Sequence, residues 1–177
     1  MYQSYQEIFG QYQSLTETFK YILERKNTIK EFFAHNQPEE VVFVACGSSY
    51  WLSKSAAMTF ENKTGIKSYA VTSGNVIMNK DYFQKAYKRP LVIAPSRSGN
   101  TTETLYAVEF IKETCNAKVL SISENEDALI RNSSELFLCI PWANEISICQ
   151  TRSFSNLYLS VILIAALVGN DQALIRD

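Results

Sequence analysis

From residue 41 onward, short runs of consecutive apolar residues alternate with longer segments whose apolar residues recur at helical spacing. The runs are rich in β-branched residues and short enough to be strands. Continuous apolar strands separated by helices indicate a parallel sheet covered on both faces, with right-handed crossovers. Strands are predicted at residues 41–45, 67–71, 91–95, 118–122 and 136–140, and helices at residues 50–62, 73–78, 102–114, 126–131 and 151–168.

The first 38 residues have a different pattern. Their apolar residues are spaced as in helices, Gly10 suggests an early break, and Asn36-Gln37-Pro38 suggests an end. We predict a short helix and then a longer one over residues 14–33. This divides the chain into an N-terminal helical extension, residues 1–38, and an α/β domain, residues 39–177. Either covering a sheet edge or packing on a partner subunit would fit such an extension.

The segment Ser96-Arg97-Ser98-Gly99-Asn100-Thr101 lies between the third predicted strand and the next helix. It puts hydroxyls, a glycine and a cation where the free N–H groups of a helix N-terminus bind anions, which predicts a phosphate site. Its spacing matches neither a Walker loop nor a dinucleotide-binding fingerprint. The alternative is a hydroxyl-capped turn without a ligand.

A second loop of the same design, Cys46-Gly47-Ser48-Ser49, follows the first predicted strand. In an open parallel sheet, loops at the carboxyl ends of such strands face a common crevice where the strand order reverses. We therefore predict that the two loops converge on one ligand. Two ordinary strand-to-helix turns are the alternative.

Composition narrows the partners. With a formal net charge of -1 there is no global basic field, so nucleic acid and anionic membranes are not expected as partners. The longest apolar run, residues 161–168, is shorter than the ~20 residues of a membrane span, and no secretory signal opens the sequence. The unpaired spacing of Cys46, Cys115, Cys139 and Cys149, with a single histidine, predicts no disulfide and no metal site. We expect small core cysteines in a reducing cytoplasm.

A third segment, NEISICQTRSF at residues 144–154, leads from the last strand into the final helix. With loops after strands one, three and five, the chain from about Glu39 onward resembles the sugar isomerase (SIS) domain family, which binds phosphorylated sugars. The RSGN loop resembles that of the tagatose-6-phosphate isomerase and galactosamine-6-phosphate deaminase group. The isomerase half of glucosamine-6-phosphate synthase carries CGTS, SQSGET and EIGVASTKAF segments that are similar to the three loops of this chain. The segment before the first SIS domain of that synthase is similar to Tyr5-Gln6-Glu7-Ile8 and Gln11.

The resemblance implies a five-stranded, doubly wound α/β fold with strand order 2-1-3-4-5 and a hexose or hexosamine phosphate at the switch point. It also implies that Ser96, Ser98 and Thr101 hold the phosphate, and that Gly47, Ser48 and Ser49 approach the ligand from the first loop. Hydroxyls at helix N-termini can bind a dianion without a metal. We expect no cofactor, and a homodimer.

Departures from the synthase pattern lie mostly at the sugar end. Gln150 replaces a small serine and would reshape the pocket, and Arg152 replaces a lysine. Arg97 replaces glutamine, and its guanidinium could either contact the phosphate in a bidentate manner or face outward. These changes bear on which sugar is bound more than on the phosphate.

No general acid or base can be nominated from the sequence. In the two-domain isomerases that the chain resembles, those groups belong to a second SIS domain or the segments after it. His35 is predicted to be a surface residue far from the loops, and Glu103 to complement a helix dipole. Glu145, in the third segment, is a less favoured candidate for contact with the substrate.

Two functions stay open. The chain is either the amino-terminal half of a phosphosugar isomerase, deaminase or deglycase, or a non-catalytic phosphosugar sensor. The enzyme is favoured, because the residues before Val41 are too aromatic and too mixed in charge for a DNA-binding helix-turn-helix. A flavodoxin-like FMN binder fits less well, because the stronger loop follows the third strand and not the first.

Overall fold

One parallel sheet forms the centre of the computed structural model, which describes residues 2–176. Its five strands are β1 (Glu40–Ala45), β2 (Lys67–Thr72), β3 (Pro90–Pro95), β4 (Lys118–Ser123) and β5 (Leu136–Cys139). They lie in the order β2-β1-β3-β4-β5, with every neighbouring pair parallel. The predicted fold class and strand order are therefore confirmed.

Helices cover the sheet on both faces, and two helices precede the first strand. They are α1 (Gln3–Glu24), α2 (Lys26–Asn36), α3 (Ser48–Thr64), α4 (Ser73–Met78), α5 (Lys80–Phe83), α6 (Thr102–Cys115), α7 (Arg152–Val168) and α8 (Gln172–Arg176). Two short 3₁₀ turns, Leu129–Ser133 and Pro141–Ala143, flank β5.

The alternation of side chains along each strand divides the core in two. Val41 and Phe43 of β1 belong to the cluster that packs under α1, α2, α3 and α7. Val42 and Val44 point to the other face, where they join residues of α4 and α6. Because both faces are buried, β1, β3 and β4 are almost continuously apolar, as parallel strands between helical layers should be.

The strand order reverses between β1 and β3. From β1 the chain moves to β2 on one side, then returns past β1 to β3 on the other. The loops after β1 and β3 consequently start from adjacent strands, which pair at Glu40 with Pro90 and at Phe43 with Ile93. This crevice is where ligands bind in open α/β sheets.

The predicted break at Gly10 was wrong. Helix α1 runs through Gly10 without interruption, and the chain turns instead at Arg25, between α1 and α2. A glycine inside a helix costs only ~1 kcal/mol relative to alanine, which the packing of α1 along α7 offsets. The turn at Arg25 lets Ile22 and Ile29, both fully buried, reach the same core.

Two smaller expectations also need correction. Residues 126–131 do not form an α-helix; the segment enters the 3₁₀ turn Leu129–Ser133, which places Ile130 in the core below α6. The four cysteines are free. The expectation that they are core residues was wrong for Cys46 and Cys149, which are exposed, whereas Cys115 and Cys139 are half-buried and Cys115 packs against the second core cluster. Among residues 2–176, no helix is both long and apolar enough to cross a bilayer.

Candidate functional site

A small polar cavity of about 110 Å³ lies at the switch point, where the loops after β1 and β3 meet the loop before α7. Its volume is well below the ~300 Å³ at which sites for whole small molecules begin, and suits one compact polar group. The cavity joins six of the eight predicted site residues, while Gly47 and Ser48 lie outside its wall. It is lined by Cys46, Ser49, Pro95, Ser96, Arg97, Ser98, Thr101, Thr104 and Gln150.

The loop after β3, residues 96–101, is fixed by its own hydroxyls. The N–H of Gly99 donates to Ser96 Oγ (3.1 Å) and the N–H of Asn100 donates to Ser98 Oγ (3.2 Å). Gly99 adopts a φ of 65°, and a Cβ at this position would collide with the Ala128 side chain. Only glycine fits this position.

Residues at the end of β4 and just after it support the same loop from behind. Ser123 Oγ donates to the carbonyl of Arg97 (2.9 Å) and Asn125 Nδ2 donates to that of Ser98 (3.2 Å). Asn100 in turn accepts from the N–H of Leu129 (2.7 Å). These contacts hold the loop before any ligand arrives, so binding would cost little ordering of the backbone.

Two helices begin at the cavity with free N–H groups. Helix α6 starts after Thr101 and α3 after Gly47, and in the described part of the chain neither residue provides a side-chain cap. The first N–H groups of a helix have no intrahelical partner and carry a partial positive charge. The two N-termini therefore give the cavity an anion-binding character that the net charge of the chain does not provide.

The loop after β1 is connected to the segment at residues 144–151, called here the third loop. Ser48 Oγ donates to Gln150 Oε1 (2.8 Å), while Ser49 is buried and faces the cavity. Gln150 thus closes one side of the cavity.

Arg97 occupies a position that the sequence alternatives did not include. It lines the cavity, and its Nη1 donates to the carbonyls of Ser147 and Ile148 (3.1 and 3.2 Å). Because it donates to two backbone carbonyls, the guanidinium is neither reserved for an anion nor turned outward into solvent. It connects the loop after β3 with the third loop.

Glu145 holds the start of α7 and does not line the cavity. Its carboxylate accepts from the Thr151 N–H (2.9 Å), from Thr151 Oγ1 (2.7 Å) and from the Ser153 hydroxyl. It is 7% exposed. Its oxygens are engaged with Thr151 and Ser153 and it is not part of the cavity lining, so Glu145 is not placed to contact a ligand in this cavity.

The other expected non-participants lie away from the cavity wall. His35 is exposed near the end of α2, and Glu103 is exposed in the first turn of α6, as a carboxylate that complements the helix dipole would be.

Glu7 of α1 anchors the third loop from the other side. Its carboxylate, 2% exposed, accepts from the N–H groups of Ile146 (2.7 Å) and Ser147 (3.2 Å). Burial acts to raise the pKa of this carboxyl, but the hydrogen bonds from Ser147, Ile146 and Gln3 outweigh it and lower the pKa to about 2. Glu7 is therefore ionised at neutral pH, and it ties α1 to the site.

Glu124, directly after β4, is a half-buried carboxyl behind the third loop. Burial, aided by the negative charge of Glu145, raises its pKa to about 8 despite the nearby Arg97 and Arg152. Among residues 2–176, no donor bonds to its buried Oε2. A carboxyl in this state is mostly protonated at neutral pH.

Comparison with known proteins decides the family. The family model described as SIS domain matches residues 36–169, which is most of the chain. The chain belongs to the SIS domain family. The position of the cavity, between the loops after β1 and β3, agrees with the switch point that the resemblance implied.

Several relatives of this SIS domain are named as enzymes. Glutamine–fructose-6-phosphate aminotransferase (isomerizing) from Shewanella oneidensis is 25% identical over 172 residues, which cover 92% of this chain and 27% of that protein. Glucosamine-6-phosphate deaminase from Thermotoga maritima is 33% identical, with a TM-score of 0.70, over 89% of this chain and 50% of that one. The chain thus spans about a quarter to a half of these relatives.

A further structure supports the fold alone. A protein from Escherichia coli CFT073, solved in complex with a ligand, superimposes with a TM-score of 0.79 at 20% identity, covering 93% of this SIS domain and 86% of that chain. The family match and the two named relatives place the chain among SIS domains homologous to those of phosphosugar enzymes.

Three lining residues of the SIS domain, Cys46, Pro95 and Thr104, were missed in the sequence. Thr104 lies one turn after Thr101 on the same face of α6, and its hydroxyl is hydrogen-bonded to that of Ser73 (3.1 Å). The i, i+3 spacing from Thr101 could have found it. Cys46, which was interpreted as a core residue, lines the cavity from the end of β1.

Proposed function

We propose that this SIS domain binds the phosphate of a hexose or hexosamine 6-phosphate in the cavity between α3 and α6. The observation that carries the proposal is the convergence of two uncapped helix N-termini, with the hydroxyls of Ser49, Ser96, Ser98, Thr101 and Thr104, on a cavity of the size of one small polar group. Charge-assisted hydrogen bonds to such donors contribute ~1.5–3 kcal/mol each.

The sugar would lie outside this cavity, under the third loop. Gln150 and Ser48 lie at that side and are joined by a hydrogen bond. An amide next to a hydroxyl offers both donors and acceptors to sugar hydroxyls. Gln150 and Ser48 would therefore orient the sugar and select which sugar binds, while the phosphate contributes most of the affinity.

Within a larger protein, the activity that fits best is phosphosugar isomerisation or deamination, carried out by a two-SIS enzyme of which this chain is the first half. The named relatives support this. Aldose–ketose conversion needs a base that moves a proton between C1 and C2 of the sugar. None of the nine lining residues is an Asp, Glu or His, so this SIS domain would bind the substrate and another domain would supply the base.

The absence of an acid or base from this lining also favours a second candidate, a non-catalytic phosphosugar sensor. Under either function we propose a cytoplasmic homodimer that needs no cofactor. In the described residues, no group of three metal-ligating side chains is present.

Isothermal titration with fructose 6-phosphate, galactosamine 6-phosphate and unphosphorylated fructose tests the binding proposal. We expect at least one of the 6-phosphates to bind and free fructose to bind far more weakly. Equal affinity for the free and the phosphorylated sugar would contradict it, because the cavity would then not be a phosphate site.

A further inference from the structure

Arginines hold the third loop by its backbone carbonyls at two places. Arg97 Nη1 donates to the carbonyls of Ser147 and Ile148, and Arg152 Nη2 donates to that of Asn144. Within residues 2–176, the buried Nε of Arg152 has no hydrogen-bond partner. A guanidinium has five N–H donors, so these contacts leave part of each arginine available to another acceptor.

Glu124 lies among these arginines without a partner for its side chain. Its backbone N–H donates to the carbonyl of Arg97 (3.3 Å), which places Glu124 directly beside the loop after β3. In the described part of the chain, no donor reaches its buried Oε2, and no ion pair joins its carboxyl to Arg97 or Arg152. The charged groups that face it are Glu7 from α1, Arg97 from the loop after β3, Glu145 from the third loop and Arg152 from α7.

The missing ion pairs agree with a neutral carboxyl. Burial, aided by the negative charge of Glu145, favours the protonated form of Glu124 and raises its pKa to about 8. A neutral carboxyl does not attract a guanidinium as an anion does, so Arg97 and Arg152 remain on the loop carbonyls. An ionised carboxylate would be a better acceptor, because it adds Coulomb attraction and accepts two parallel N–H groups from one guanidinium.

We propose that Glu124 is a positioning residue for the ligand site and that it acts through Arg97. While Glu124 holds its proton, Arg97 stays on the third loop and lines the cavity. When Glu124 releases this proton to solvent, its carboxylate draws the Arg97 guanidinium away from the carbonyls of Ser147 and Ile148. The site then loses a cation and one hold on the third loop, so a bound phosphate dissociates more easily. This role rests on the proposed function, because it takes the cavity to be a phosphate site.

Titration calorimetry with fructose 6-phosphate at pH 7, pH 8 and pH 9 tests the proposal. The second pKa of a phosphate monoester is about 6, so the ligand itself stays mostly a dianion in this range. We expect the dissociation constant of the wild type to rise by about tenfold between pH 7 and pH 9, the scale of one hydrogen bond to a charged group. Glu124→Gln, which cannot ionise, should bind with the same affinity at each pH. The matched control is Glu126→Gln, at an exposed position, and it should follow the wild type.

Amide hydrogen exchange at Ile146 and Ser147 gives a second readout, which needs no ligand. Both N–H groups lie in the third loop and donate to the Glu7 carboxylate. Their protection, corrected for the intrinsic effect of pH on exchange, reports how often the loop opens. We expect this protection to fall between pH 7 and pH 9 in the wild type and to stay constant in Glu124→Gln.

Failure of this role and failure of the phosphate site give different results. Equal affinity for free fructose and fructose 6-phosphate would contradict the phosphate site, and hydrogen exchange would then still decide whether Glu124 controls the third loop. Wild-type affinity and protection that do not change with pH would overturn the role of Glu124. A decrease in both that is as large in Glu124→Gln as in the wild type would overturn it too, because another group would then be responsible.

Discussion

Arg97 shows how one side chain can serve two neighbouring structures. It lines the cavity, and it also donates to the carbonyls of Ser147 and Ile148 in the third loop. From the sequence it could be assigned only to an anion or to solvent, because its true acceptors are about fifty positions further along the chain. Backbone carbonyls leave no mark in a sequence pattern, so such a contact is not predictable from residue types.

Ser98 separates a ligand contact from a structural cap at the scale of one residue. Ser98 is an exposed residue, and within residues 2–176 its hydroxyl accepts from the N–H of Asn100. Ser98→Ala should therefore weaken binding of a sugar phosphate by about 1–3 kcal/mol, the usual cost of one hydrogen bond to a charged group, and should change the melting temperature of the free protein little.

Thermal melts with and without fructose 6-phosphate measure both effects, and Ser55→Ala on the exposed side of α3 is the matched control. If Ser98→Ala lowers the melting temperature equally in both conditions, Ser98 is only a cap and the phosphate lies elsewhere.

Glu124 makes stability depend on pH. Its pKa, raised to about 8 from 4.5, means that the folded protein holds this proton more tightly than the unfolded chain. The stabilising contribution of the proton is complete below pH 4.5 and is lost as the pH rises through about 8. Glu124→Gln should thus melt like the wild type near pH 5 and at a higher temperature near pH 9.

Melting curves across this range test the expectation, with exposed Glu126→Gln as the control for loss of one negative charge. A difference between Glu124→Gln and the wild type that is the same at every pH would contradict the raised pKa, because it would mean that folding does not change proton binding by Glu124.

At the scale of elements, the third loop is held by groups from three other parts of the chain. Glu7 of α1 binds its N–H groups, Arg97 binds its carbonyls, and Ser48 of α3 binds Gln150. Its own Glu145 joins it to α7 by accepting from the Ser153 hydroxyl. The strands and most helices were predictable because their apolar periodicity is local. This loop was not, because Glu7 and Ile146 are 139 positions apart and meet only through the packing of α1 on α7.

The stability of this arrangement should depend on Glu7. Removing its carboxylate takes the acceptor away from the N–H groups of Ile146 and Ser147, and hydrogen bonds to a charged group contribute ~1.5–3 kcal/mol each. Glu7→Ala should therefore lower the free energy of unfolding by a few kcal/mol at neutral pH. The contribution is present above pH 4.5 and disappears as the pH falls through about 2, the lowered pKa of Glu7.

Urea unfolding at neutral pH measures the effect, and Glu31→Ala, at an exposed position of α2, serves as the control. A loss no larger than that of Glu31→Ala would mean that the third loop does not need this anchor.

On the scale of the whole molecule, the strand order places two similar loops side by side. The β1 and β3 loops lie about fifty residues apart in the sequence but leave the sheet at adjacent strands, so their helix N-termini meet at one cavity. Strand order and crevice were therefore predictable once the loops resembled those of SIS domains. The outward position of Tyr5, Phe9 and Tyr12 on α1 was not, because apolar periodicity alone does not say which side of a helix meets the core.

A crystal structure of the chain with fructose 6-phosphate would test the central claim most directly. We predict that the phosphate lies between the N-termini of α3 and α6, with its oxygens within hydrogen-bonding distance of the hydroxyls of Ser96, Ser98 and Thr101. A phosphate bound anywhere else, with the cavity at Ser49 and Thr104 holding only water, would contradict the account.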